Sequence, residues 1–247
     1  MFKIKILLLL ITLFSLSACF ENKDENVWIV GTSADNPPYE FIKNGEIVGF
    51  DIDFITEVAR HLGKKVEFKN MEFHTLLAAL SSNNIDLVLA GLSVTPERIL
   101  RVDFSDPYHS TKIVVLYRGE DNFKNFQDLK KKKIGVQLGT IWGLIAHDLA
   151  VINGFSIISL SNNLMLVEEL KSKRIDAIVL EENQAKKFIE MYPTMSKFVD
   201  QNFSSSFAIA MTKNFANKKN INHAIKALTS NGTIETLARK WGLVGAD

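Results

Sequence analysis

Gly91, Ser93, Thr95 and Arg98 fall within eight positions of stretch 90–108, which reads AGLSVTPERILRVDFSDPY. Arg98 carries a planar fork of N–H donors that fits a carboxylate through two parallel hydrogen bonds. Ser93 adds a hydroxyl that donates or accepts. Gly91 has no Cβ, so its backbone can come close to a ligand. Together they describe a receiver for the carboxylate of a small molecule. The competing reading is a strand, a turn and a helix start, with Arg98 paired to Glu97 or solvated.

Other places offer polar groups where an apolar run ends. Leu138-Gly139-Thr140 opens a helix from Ile141 to about Val151; Thr140 is a good N-cap, and the free amides of the first turn attract an anion. Glu181-Glu182 follows a buried run and reads either as an acid pair at a cleft or as two solvated acids starting a helix. The five histidines are scattered without ligand spacing, and the single cysteine, Cys19, excludes an intrachain disulfide and a cysteine-based metal cluster. No metal and no cofactor are expected.

The elements that must position these groups follow from periodicity. Residues 27–32 (VWIVGT) read as a buried strand that ends in a polar turn with two prolines, SADNPPYEF. Asn44-Gly45 marks a hairpin, 51–62 a helix, 66–68 a strand, 75–80 a helix and 87–90 a strand. Strand and helix in alternation argue for a parallel sheet with helices on its faces, where ligands sit outside the carboxyl ends of the strands. Run 111–117 leaves that sheet, and strands at 134–137 and 157–160 follow. Segment 76–88 is echoed by 167–178. In each an amphipathic helix and a polar turn lead through Ile-Asp (Ile85-Asp86, Ile175-Asp176) into a buried strand, which supports two similar lobes. A second apolar crossing is expected at 203–211, then helices at 217–230 and 233–241.

A formal net charge of +1 gives no reason to expect a nucleic-acid partner or a polybasic membrane patch. At the N-terminus, Lys3 and Lys5 precede an apolar run over 6–16, too short to span a bilayer comfortably. The run ends Leu16-Ser17-Ala18-Cys19, which resembles the lipobox read by lipoprotein signal peptidase. The product implied begins at Cys19 carrying lipid, followed by a polar tether to residue 26, and is anchored to a membrane in the periplasm or at the cell surface.

G-L-S-V-T-P-E-R followed by D-F-S-D-P-Y, preceded by Gly49-Phe50-Asp51-Ile52-Asp53-Phe54, resembles the family 3 extracellular solute-binding proteins, the amino-acid-binding subunits of ABC importers. The resemblance runs from about Trp28 to Leu243. It implies an α/β fold of two lobes, the periplasmic-binding-protein fold, each lobe a mostly parallel sheet flanked by helices, joined by two hinge strands. Lobe 1 would hold 27–110 and 209–247, lobe 2 residues 111–208. It also implies a monomeric, non-catalytic receptor whose partners are an amino acid and the importer's membrane subunits. Carried over residue by residue, Arg98 holds the ligand's carboxylate, with the Ser93 hydroxyl and the Thr140 and Ile141 amides. A carbonyl at Ala90-Gly91 and the acid Glu181 hold the α-ammonium, and Phe73 covers the ligand side chain. Ser33 stands where the family often has an aspartate, and Asn36 where it commonly has an aromatic; Asp35, Tyr39 and Glu40 lie nearby. With Asp35, Glu40 and Glu181 around the pocket, a basic amino acid is expected, arginine first and lysine next. Glutamine is the alternative, and an arogenate or prephenate dehydratase on this scaffold is the enzymatic one.

Overall fold

A computed structural model of the chain describes Asp24 and residues 26–243. The expected leader, Cys19 and most of the tether lie outside the described residues.

Buried apolar runs become strands and amphipathic runs become the helices that cover them. In the first half the chain forms β1 (Val27–Thr32), β2 (Asp35–Asn36), β3 (Glu40–Lys43), β4 (Glu46–Val48), α1 (Phe50–His61), β5 (Lys65–Asn70), α2 (Leu76–Ser81), β6 (Leu87–Val88), α3 (Pro96–Ile99) and β7 (Asp103–Phe104). Asn44 and Gly45, at φ 55° and 84°, make the tight turn between β3 and β4, as their side chains permit. The chain continues through β8 (His109–Arg118), β9 (Lys133–Gln137), α4 (Ile141–Asn153), β10 (Ser156–Leu160), α5 (Asn163–Lys171), β11 (Ala177–Glu181), α6 (Glu182–Met191) and β12 (Met195–Phe207). It ends with β13 (Ala210–Met211), α7 (Lys218–Ser230) and α8 (Thr233–Lys240).

Two five-stranded sheets result, ordered β5-β1-β6-β13-β7 and β10-β9-β11-β8-β12, with β2, β3 and β4 as a small antiparallel flap. As expected, both sheets are mostly parallel, each mixed by one reversed strand. In each, four strands point one way, and a single strand, β13 in the first sheet and β8 in the second, runs against both of its neighbours. The parallel strands are those joined through helices, as parallel neighbours require. The antiparallel ones, β13 and β8, belong to chain passing between the lobes, which reaches its sheet without such a crossover. The crossing chain pairs with itself, because β12 lies against β8 over 195–199 and again over 204–207, with a register break between. The run 203–211 is therefore divided between the end of β12 and β13.

The internal echo is carried by matching contacts. Asp86 Oδ2 accepts from the Ile29 N–H at 2.8 Å, and Asp176 Oδ2 accepts from the Lys133 N–H at 2.8 Å. The preceding isoleucines, Ile85 and Ile175, press onto Gly31 in β1 and Gly135 in β9, where an added Cβ would collide with their Cδ1 atoms. Each Ile-Asp pair thus seats a helix-strand unit on β1 or β9, the second strand in the order of its own sheet.

Candidate ligand site

Strand ends from both sheets converge on one narrow cavity. β6 runs out into Ala90, Gly91 and Ser93; Arg98 follows on α3, and Phe73 precedes α2. The other sheet supplies Gln137, Thr140, Ile141 and Trp142 after β9, Asn163 after β10, and Glu181 and Gln184 around the end of β11. Asn36 of the flap and Phe207 of β12 also line it. Eight of the ten residues expected at the site line this cavity: Phe73, Ala90, Gly91, Ser93, Arg98, Thr140, Ile141 and Glu181.

Arg98 is held by short-range geometry. Thr95 caps α3, its hydroxyl accepting from the Arg98 N–H at 3.2 Å, and Pro96 follows in the first turn. The guanidinium donates to the Ser93 carbonyl at 2.6 Å and to the Gly139 carbonyl of the other lobe at 2.9 Å, and stands 5.8 Å from the centre of the Phe73 ring. Among the described residues no carboxylate comes within ion-pair distance of it; Glu97 acts on its charge only from further away. Burial lowers its pKa to about 10, which leaves it charged at neutral pH. A half-buried cation that hydrogen-bonds only to carbonyls is a site for an anion, since pairing compensates its charge. Across the cavity Thr140 caps α4 by accepting from the Gly143 N–H at 3.0 Å.

Glu181 closes β11 and caps α6. Its carboxylate accepts from the Thr111 hydroxyl at 2.7 Å, the Asn183 N–H at 2.9 Å, the Tyr39 hydroxyl at 3.2 Å and the Gln184 N–H. Burial raises its pKa to about 7, while those donors favour the charged form. An approaching ammonium would add a further stabilising partner.

Ser33 and Glu40 do not line the cavity. The flap turns Asp35 toward the second lobe, where its Oδ2 accepts from Gln137 Nε2 at 3.0 Å and the Asn163 N–H at 2.7 Å, while Oδ1 takes the Ser33 hydroxyl at 3.2 Å. Burial raises the Asp35 pKa to about 6. Glu40, fully buried, faces back toward α1 and Asp51 and accepts from Asn36 Nδ2 at 2.9 Å. Of the three acids expected around the pocket, only Glu181 reaches its wall. Asp35 and Glu40 are already committed to protein donors.

Gln137, Trp142, Asn163, Gln184 and Phe207 line the cavity without having been singled out from the sequence. Gln137 ends β9 and Asn163 follows β10, so applying the strand-end rule to the second lobe would have found both. Phe207 sits in a crossing strand, and no local pattern distinguishes it.

Known proteins resemble this chain over most of its length. Residues 28–244 match the bacterial extracellular solute-binding proteins, family 3. The arginine-binding extracellular protein ArtP of Bacillus subtilis is 34% identical over 236 residues, covering 92% of each chain. An ancestral arginine-binding protein bound to arginine superposes with a TM-score of 0.84 at 35% identity, covering 88% of this chain and 98% of its own. An ancestral arginine-binding protein bound to glutamine gives a TM-score of 0.84 and 35% identity, covering 89% and 99%. With both lobes and the whole cavity inside the matched residues, this chain belongs to the family 3 bacterial extracellular solute-binding proteins, which are receptors and not enzymes.

Proposed function

We propose that the chain is the substrate-binding receptor of an ABC importer and that it takes a basic L-amino acid, arginine first and lysine next. The observation that carries this is the pairing of opposite charges on one cavity: Arg98 for a carboxylate and Glu181 for an ammonium. A free amino acid is the small molecule that presents both. The rest of the wall favours a donor-rich side chain. Arg98 is the only Lys or Arg among the lining residues, and the buried Asn36 Oδ1 has no donor. The arginine-binding relatives point the same way. Glutamine is the second reading, favoured by the side-chain amides of Asn36, Gln137, Asn163 and Gln184 on that wall and by the glutamine complex of the ancestral protein.

In this reading the lobes, 27–110 with 209–247 and 111–208, close about the 105–111 and 204–209 crossings, and Ser93, Arg98, Thr140, Ile141 and Glu181 grip the ligand's backbone groups. The receptor acts as a monomer. A thermal-shift screen of the twenty amino acids tests it, because a ligand at a hundred times its Kd adds about 2.7 kcal/mol to stability. Arginine and lysine are expected to give the largest shifts. A large shift with glutamine or an acidic amino acid and none with the basic ones overturns the ligand assignment.

Cys19 is proposed as the lipid-bearing first residue of the mature chain, whose formal charge, after loss of Lys3 and Lys5, would be +1 − 2 = −1. Cys19→Ser should release the protein from membranes or leave an uncleaved precursor, with ligand binding unchanged. An intact mass of the wild-type protein showing no lipid would refute it.

A further inference from the structure

We propose that Glu40 positions Asn36 for ligand recognition, holding its amide so that the carbonyl oxygen, and not the NH2 group, faces the cavity. The proposal rests on the reading of the cavity as a site for a basic amino acid. The two ends of an Asn amide have nearly the same shape, so the partner decides which way the group turns. Asn36 Nδ2 donates to Glu40 Oε1 at 2.9 Å, which leaves Oδ1 buried, without a donor, in a residue that lines the cavity.

Glu40 can do this because of what stands behind it. Glu40 and Asp51 are both fully buried and adjacent. Asp51 Oδ2 accepts from the Gly91 N–H at 2.9 Å and from the Tyr108 hydroxyl at 2.7 Å. The other two oxygens, Glu40 Oε2 and Asp51 Oδ1, have no protein donor. Two carboxylates cannot both stay charged in such a place, and one proton between the free oxygens satisfies both. The donors on Asp51 favour charge there, so the proton resides on Glu40 Oε2 and is donated to Asp51 Oδ1. Burial and the Asp51 charge push Glu40 well above the usual carboxylate range, in agreement. Glu40 then has one oxygen donating backward and one accepting forward from Asn36. The same pair holds Gly91, so one buried acid couple fixes two parts of the cavity wall.

Calorimetric titration with arginine on the full mature chain tests this, with melting temperatures recorded alongside. Glu40→Gln reproduces the arrangement, its Nε2 donating to Asp51 and its Oε1 accepting from Asn36, so arginine affinity should stay within about threefold of wild type. Glu40→Leu frees the amide, and Asn36→Ala removes it; each should weaken binding by roughly tenfold or more, as for the loss of one hydrogen bond to a charged group. The Asn36→Ala/Glu40→Leu double variant should bind no worse than Asn36→Ala alone. Should Glu40→Leu fail to fold, Glu40→Gln/Asp51→Asn, which sets two NH2 groups against each other, must lose the binding that Glu40→Gln keeps. Losses that add in the double variant, or a Glu40→Gln protein as weak as Asn36→Ala, overturn the proposal while leaving the receptor reading intact. A wild-type chain that binds no basic amino acid overturns that reading, and this inference with it.

Discussion

Arg98→Ala lowers arginine affinity by roughly a thousandfold, about 4 kcal/mol, the scale expected when one partner of a desolvated charge pair is removed. The size follows from what surrounds the guanidinium. It is committed to the Ser93 and Gly139 carbonyls and lies against Phe73, with Glu97 acting on its charge only at longer range. A bound carboxylate would take the place such a group requires, and without the guanidinium that carboxylate is stranded. Arg98→Lys should recover little, because a single ammonium cannot span two carbonyls and a carboxylate at once. The ligand-free variant should melt close to wild type, since removing a half-buried charge that touches no carboxylate offsets the lost bonds to Ser93 and Gly139. Calorimetry that finds Arg98→Ala within threefold of wild type removes Arg98 from the site.

Glu181 gives the second large effect and its own pH signature. In the ligand-free chain its pKa stands near 7, raised by burial. An ammonium beside it favours the charged form, so the bound-state value lies lower. Between the two values, binding expels a proton. Affinity is therefore greatest above about pH 7 and falls by up to tenfold per unit as pH drops below it, roughly ten- to thirtyfold between pH 8 and 5.5. Glu181→Gln should weaken binding about a hundredfold at pH 8, through loss of the charge-assisted contact, and flatten most of the slope. An unchanged slope in Glu181→Gln assigns the titration elsewhere.

Much of this was legible in the sequence because it is written locally. The strand–helix alternation, the Asn44-Gly45 turn and the twin Ile-Asp patterns involve neighbours along the chain, and each appears in the structure where expected. Arg98, Thr140 and Glu181 were legible by the same logic, since each follows an apolar run that had to be a buried strand. Strand direction was not. Nothing within β13 or β8 says that it runs against its neighbours; that depends on which lobe the chain has just left. The first half of β12 was also hidden, because it is an edge strand whose half-exposed side chains alternate weakly. Ser33 and Glu40 were placed in the right turn but aimed wrongly. Their direction is set by residues far along the chain: Gln137 and Asn163 draw Asp35 and its Ser33 partner forward, while Asp51 draws Glu40 back.

The two lobes also touch each other directly. Asp35 joins Gln137 and Asn163, Tyr39 joins Glu181, and Arg98 joins Gly139, all without any group from a ligand. Free energy from these bonds multiplies every ligand's affinity by one common factor, because it is the same whichever molecule is enclosed. It sets how dilute a solute the receptor can harvest. The ranking of one solute over another is left to the few wall groups that meet the side chain, so capture threshold and selectivity can diverge independently by substitution in different parts of the same cleft.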